Sequence, residues 1–313
     1  MELDRLQIVV GFKVTPDYEA LRPTDWARAA DDAAARVPAA ADGARGGAEA
    51  SPDASPDSNE AAPGRGPSGP ETRYVRRILG ALDEAALELA LRLRDAHAEL
   101  GLQTGLAAFS VAGREADPFL KTLQALGYER TARVDPGVQP DFAPAATAAL
   151  VAAGARRLGG DVLLLGSRGG PGDSGLVPFL VAEALGWPCL TQVTAIEPAD
   201  RGRLRVTFTA DAGPVRATVA APCVLAVGNA LVSMLRAPTL KDRLATREEP
   251  VAVLSAAELG VDVPGEPARE PATLTGLETI DRGRAGVIVG GATPADKARA
   301  LYETHLRPRL ERP

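Results

Sequence analysis

Histidine, cysteine, methionine and tryptophan each occur only twice in 313 residues, and aromatic side chains make up 4% of the chain. So small a supply of His and Cys cannot assemble a metal-ligand cluster or a nucleophile–base triad, and any redox chemistry would fall to a bound cofactor. The cysteines, Cys189 and Cys223, lie far apart, each directly after a proline, and read as buried free thiols. His97 and His305 sit in charge-rich helical stretches and read as solvated surface positions. There is no basic run, and the formal net charge is −6, so the chain lacks both the electrostatic footprint and the stacking platforms of a nucleic-acid binder. Apolar runs stop short of the ~18 residues of a membrane span. The opening MELDRLQIVV carries acids where a secretory signal has its basic region, so a cytoplasmic protein is expected.

What is present is 45% hydrophobic and 24% charged residues, enough for a sizeable core. Leu6–Lys13 reads as a buried parallel strand. Residues 37–70, built of Ala, Gly, Pro, Ser and Asp, hold almost no large apolar side chain and read as a flexible insertion, after a short helix at 25–35. Leu82–Leu100 is a strong amphipathic helix, with Leu87, Ala90 and Leu91 on one face and Glu88, Arg92 and Asp95 on the other. A strand Thr104–Val111, a helix Pro118–Leu126, a strand Thr131–Val134, a helix Ala143–Leu158 and a strand Val162–Leu165 follow. The alternation predicts a mostly parallel α/β sheet in three layers, with ligands at the carboxyl ends of the strands.

From Asp161 to Pro188 the chain runs from that last strand through a glycine-rich loop into a helix opening near Leu176. Such a layout turns backbone N–H groups toward a ligand above the strand end and suits an anion such as a nucleotide phosphate. Asp173 and Ser174 are suited either to capping the helix or to touching phosphate and ribose, and Pro178 fits its first turn. The loop contains neither GxxxxGK[ST] nor GxGxxG, which disfavours a P-loop and a dinucleotide turn. After Pro188, alternating apolar and polar residues up to Gly228 predict an antiparallel meander at the sheet edge. A short strand Val251–Leu254, an extended AGVIVGG segment and a helix Pro294–Leu306 complete the chain, which divides into a core, 1–228, and a docking and arm region, 229–313.

Five segments in order carry a resemblance. IVVGFKVTPDY, LDEAALELALRLRD, GDSGLVPFLVAEALGWP, RAPTLKDRLATREEPVAVLSAAELGVD and DRGRAGVIVGG are similar to IVVxVKxVPD, FDExAxEEAxRLKE, GDTAQVGPxIAExLxxP, RYPTLPGIMKAKKKPIEVLxxADLGVD and PPxRxAGxxVxG. These patterns belong to the β subunits of electron transfer flavoproteins, FixA proteins included, and the chain resembles that family over nearly its whole length.

The resemblance implies a Rossmann-like fold, close to that of adenine-nucleotide α-hydrolases, with added antiparallel strands and an extended C-terminal arm. It implies a heterodimer with an α subunit that holds most of the FAD, and electron transfer between flavin dehydrogenases and an acceptor. A nucleotide site in the chain itself would hold AMP, or a second FAD in bifurcating members. By position, Gly11, Val111, Gly172, Asp173, Ser174, Gly175, Leu176 and Val177 would line that site, Tyr18 would place a ring against the flavin, and Thr239, Leu240 and Lys241 would dock dehydrogenases. The chain departs from the pattern at Gly80-Ala81-Leu82, which stand for Asn-Pro-Phe, at Pro171, Leu176 and Pro178, which replace Asp, Gln and Gly, and at Arg247-Glu248-Glu249, which replace lysines. Val177, where AMP-binding members have Thr, resembles the bifurcating or FixA branch. From the residues alone, a free-standing adenine-nucleotide-binding regulatory domain stands as the alternative.

Overall fold

The computed structural model describes residues 5–22, 24–26, 70–137, 140, 142–170, 172–199, 202–261, 283 and 286–311. The expected insertion, save Pro70, and all but the first two residues of the expected helix 25–35 lie outside the described residues. The chain forms two compact units, Met1–Leu277 and Glu278–Pro313.

The first unit is built on nine strands: β1 (Arg5–Gly11), β4 (Gln103–Val111), β5 (Arg130–Asp135), β6 (Val162–Gly166), β7 (Cys189–Pro198), β8 (Arg203–Ala210), β9 (Gly213–Ala220), β10 (Cys223–Val227) and β11 (Ala252–Ser255). Their order is β11-β5-β4-β1-β6-β10-β7-β8-β9, parallel from β11 to β7 and antiparallel thereafter. Two short strands, β2 (Val14–Pro16) and β3 (Arg77–Leu79), pair antiparallel beside it. The three-layer α/β fold expected from the alternation is therefore the observed one.

Strand residues alternate between two cores, as the period of two requires. Ile8, Val10, Leu106, Leu164 and Leu225 face helices α1 (Ala81–Glu99) and α2 (Asp117–Ala125), whereas Val9, Phe109, Leu163, Leu165 and Val224 face α3 (Pro144–Arg157) and α4 (Val177–Leu185). Phe109 is fully buried, and its ring reaches α3 only because residue 154 is glycine: a Cβ there would lie 2.9 Å from Phe109 Cε2.

Three sequence expectations are corrected. Cys223–Val227 was expected in the edge meander, yet β10 lies between β6 and β7 as a fully buried parallel strand. A continuous apolar run suits a strand covered on both faces better than one at an edge. His97 is buried, not solvated, because its Nδ1 meets Thr104 Oγ1 at 2.6 Å across the turn into β4, and burial lowers its pKa. Glu88, assigned to the solvated face of α1, is 3% exposed for the reason given below. The cysteines are free as expected, although only Cys223 is fully buried; it and the half-buried Cys189 belong to opposite cores.

In the second unit, Thr293 and Asp296 form a reciprocal capping box at the start of α6 (Pro294–Leu301). The path continues through a π-helical turn, Tyr302–Leu306, into a last α-helical turn, Arg307–Leu310, where a single α-helix to Leu306 was expected. Among the described residues no helix is long and apolar enough to cross a membrane.

Candidate functional site

Strands β1, β4 and β6 end side by side at one edge of the sheet, where parallel α/β folds bind ligands. Above them lies a cavity of about 360 Å³. Gly11, Phe12 and Lys13 line it from the end of β1, Phe109 and Val111 from β4, and Leu165, Gly166 and Ser167 from β6. Two loops close it: Arg168, Gly169 and Gly172–Leu176 leading into α4, and Pro140 with Phe142 and Ala143 leading into α3.

The N-termini of α1, α3 and α4 all reach this cavity, through Asp83, Pro144 and Val177 respectively. At none of the three does a cap side chain accept a backbone N–H. The positive ends of three helix dipoles thus converge on one space, a favourable setting for an anion.

The loop after β6 takes left-handed backbone at Gly172 (φ 101°), Asp173 (φ 41°) and Gly175 (φ 67°), which re-aims the chain before α4. Ser174 Oγ accepts from Leu176 N at 3.4 Å, a weak local bond, and Asp173 lies 3.7 Å from Arg168. Neither side chain caps α4.

At the cavity floor, Ser167 Oγ is buried and has no hydrogen-bond partner among the described residues, while the Ser167 N–H donates to Val227 O at 2.8 Å. An orphaned buried hydroxyl beside uncapped helix N-termini fits a polar ligand that supplies the missing bonds. Asp83 is also buried here. Removal from water lifts its carboxyl to about 7, although the N–H groups of Lys13 and Gly166 and the Lys13 ammonium all favour the charged form. Asp83 Oδ2 lies 2.7 Å from where a Cβ at residue 80 would stand, so glycine at that position leaves room for the carboxyl.

All eight residues expected at the nucleotide site line the cavity: Gly11, Val111, Gly172, Asp173, Ser174, Gly175, Leu176 and Val177. Tyr18 does not; its ring lies 6.1 Å from that of Trp26 in the segment after β2. Thr239, Leu240 and Lys241 also lie outside the cavity. Thr239 forms a capping box with Asp242 at the start of α5 (Leu240–Ala245), and Leu240 is 72% exposed. Lys121 of α2 holds the far end of this segment by donating to the carbonyls of Thr246, Arg247 and Glu249.

Sequence reading missed Lys13, Asp83, Phe142 and Ser167. The first two sit inside the segments IVVGFK and LDE that carried the resemblance, so a signal for them existed. Ser167 follows Gly166 in the glycine-rich stretch after the Val162–Leu165 strand, so a signal existed for it too, whereas nothing in the sequence marked Phe142. Among the described residues no group of His, Cys, Asp and Glu is placed to hold a metal ion.

Residues 71–259 match the model of the electron transfer flavoprotein domain. The chain is 30% identical over 251 residues to the provisionally assigned electron transfer flavoprotein subunit YgcR of Escherichia coli (strain K12), covering 80% of this chain and 91% of that one. It is 26% identical to the electron transfer flavoprotein subunit beta of Mycobacterium leprae (strain TN), over 59% of this chain and 70% of that one. With its counterpart from Bradyrhizobium diazoefficiens it shares 26% identity over 63% and 76%. The chain belongs to the electron transfer flavoprotein family, as a β-like member of it.

Proposed function

We propose that this chain is the β subunit of a heterodimeric electron transfer flavoprotein that works in the cytoplasm, carrying electrons between flavin dehydrogenases and an acceptor. The FAD, held mainly by the α subunit, supplies the electron chemistry; this chain contributes position and electrostatics. It also binds an adenine nucleotide, AMP or a second FAD, in the strand-end cavity.

The observation that carries the nucleotide reading is the convergence of three uncapped helix N-termini and the 168–176 loop on one cavity. The eight residues assigned by resemblance all line that cavity, so family position and local physics select the same place. In this reading the loop amides receive the phosphate, Ser167 Oγ bonds a polar atom of the ligand, and the apolar walls at Val111 and Leu165 exclude water from the base. Pro178, at the second helical position of α4, contributes no N–H, which weakens the grip on phosphate relative to a glycine there. The chain's Thr239-Leu240-Lys241 segment serves as the dehydrogenase contact, and Tyr18 packs against the partner's flavin. The second unit, with Ile288, Leu306 and Leu310 exposed, wraps the α subunit.

Coexpression with an electron transfer flavoprotein α subunit from the same genome and extraction of cofactors from the purified pair test the proposal. One FAD with one AMP per heterodimer, or two FAD, is the expected content. A pair that contains no flavin, or a chain that never associates with a flavoprotein, would sink it.

A further inference from the structure

Three aromatic rings line the strand-end cavity, Phe12, Phe109 and Phe142. Phe12 is 5% exposed and belongs to the core beneath α1, and Phe109 is fully buried against Gly154. Only Phe142 keeps a partly exposed ring there. Its backbone is unusual as well: φ is 61°, a conformation costly for a bulky side chain and free of strain for glycine. The turn is pinned in place, since Ala143 N donates to Pro140 O at 3.1 Å, Thr147 N to Ala143 O at 2.9 Å and Thr147 Oγ1 to Pro140 O at 3.3 Å. The ring leans across the cavity onto the loop after β6, where a Cβ at Gly172 would lie 3.2 Å from Phe142 Cδ1 and 3.4 Å from Cε1. Gly172 thus leaves the ring its place, and a strained backbone aims that ring at the cavity.

From this geometry we infer that Phe142 packs against the planar base of the bound nucleotide and sets the preference of the cavity for a purine-bearing ligand over a bare sugar phosphate. The inference rests on the nucleotide reading and deepens it by assigning the base contact to one residue. The uncapped helix ends attract any phosphate, whatever base it carries. An aromatic face attracts the base, and stacking of this kind is worth about tenfold or more in affinity. Together the two parts of the cavity demand both halves of a nucleotide.

The test is isothermal titration of the full chain, freed of copurifying nucleotide, with AMP, FAD and ribose 5-phosphate. For whichever of AMP and FAD the wild type binds, Phe142→Leu, which keeps apolar volume but loses the π-face, is expected to weaken binding about tenfold and to leave ribose 5-phosphate unchanged. Phe142→Trp retains the nucleotide affinity. Phe142→Gly separates fold from function: it relieves the strain at φ 61° and melts no lower than wild type, yet binds the nucleotide most weakly. If Phe142→Leu and Phe142→Gly bind the nucleotide as well as wild type or better, the ring is a plug and the inference is overturned. It is also overturned if affinity for ribose 5-phosphate falls in parallel. A wild-type chain that binds none of the three ligands refutes the nucleotide reading itself, and this inference with it.

Discussion

Arg236 grips the buried carboxylate of Glu88 from three directions: its backbone N–H donates to Oε2 at 3.1 Å, Nε lies 3.1 and 3.0 Å from the two oxygens, and Nη2 donates to Oε1 at 2.9 Å. Nη1 reaches Asp95 Oδ2 at 2.7 Å, and Arg92 shares Glu88 from the solvent side. Burial opposes ionisation of Glu88, but the bonds from Arg236 and Arg92 outweigh it and hold the carboxyl below its ordinary range. The pair ties the start of the docking segment to the middle of α1. This explains why a glutamate that the helical pattern assigns to solvent is covered.

Removing this tie should cost stability. Arg236→Ala leaves Glu88 buried without its main partner. Because the arginine side chain is 38% exposed, the loss should be about 2 kcal/mol, below that of a fully buried pair. Arg236→Lys should recover only part of it, since an ammonium cannot reproduce the fork. Urea denaturation measures the loss, and hydrogen exchange should show residues 229–245 opening more readily. Unchanged stability and exchange would refute the anchoring role.

Asp83 should make stability fall as pH rises. Its carboxyl titrates near 7 in the folded chain and near ~3.9 unfolded, so between these values the native state holds a proton that the unfolded state has lost. The stabilisation is fully present below the lower value and gone above the upper one. At ~1.4 kcal/mol per pH unit the whole effect is bounded by about 4 kcal/mol. Asp83→Asn should remove this slope, so that in denaturation curves the variant gains on wild type from about pH 4 to about pH 7 and no further above it. A difference that stays constant over that range would contradict a carboxyl whose burial outweighs the groups that favour its charge.

Gly172→Ala places a side chain at φ 101° and sets its Cβ 3.2 Å from the Phe142 ring. Backbone strain of this kind costs roughly 1–3 kcal/mol. The variant should melt lower and bind AMP more weakly, because the ring must shift. A loss of stability with full affinity would show that the Gly172–Phe142 contact does not shape the ligand site.

Gly154→Ala sets two effects against each other. Ala in mid-helix gains about 1 kcal/mol over Gly. The new methyl, however, stands 2.9 Å from Phe109 Cε2, and that ring is fully buried, with Gly11 beside its far edge. Overpacking of about 1–3 kcal/mol should win, giving a net destabilisation near 1 kcal/mol. Phe109 also lines the cavity, so a displacement of its ring should lower nucleotide affinity as well. Thermal melting and titration with AMP check the two outcomes separately.

Strands β1, β4, β5 and β6 and helices α1 to α4 were legible because the apolar period changes between 2 and 3.6 at each boundary, with glycine or proline marking the joints. The short pair β2 and β3 was not: Val14–Tyr18 read as a loop, and three residues a side are too few to show a period. Seven of the eight cavity residues lie within the five similar segments, and Val111 was placed by its position at the end of the Thr104 strand. β10 was not, because five apolar residues after a turn look alike in an edge strand and in one inserted between β6 and β7; pairing across the sheet chooses between them. His97 was misplaced for a related reason. Its helical neighbours are charged, and only the return of the chain at Thr104 covers it.

The sequence by itself determined the α/β layering, the parallel core and the place of the glycine-rich loop after β6, since each follows from side-chain period and backbone chemistry acting over a few residues. Only the tertiary structure decided that three helix ends share one cavity, that Phe142 reaches across to Gly172 and that Arg236 covers Glu88. Those are meetings of residues 30 to nearly 150 positions apart, and they are fixed by where the sheet sets each strand end rather than by any local preference.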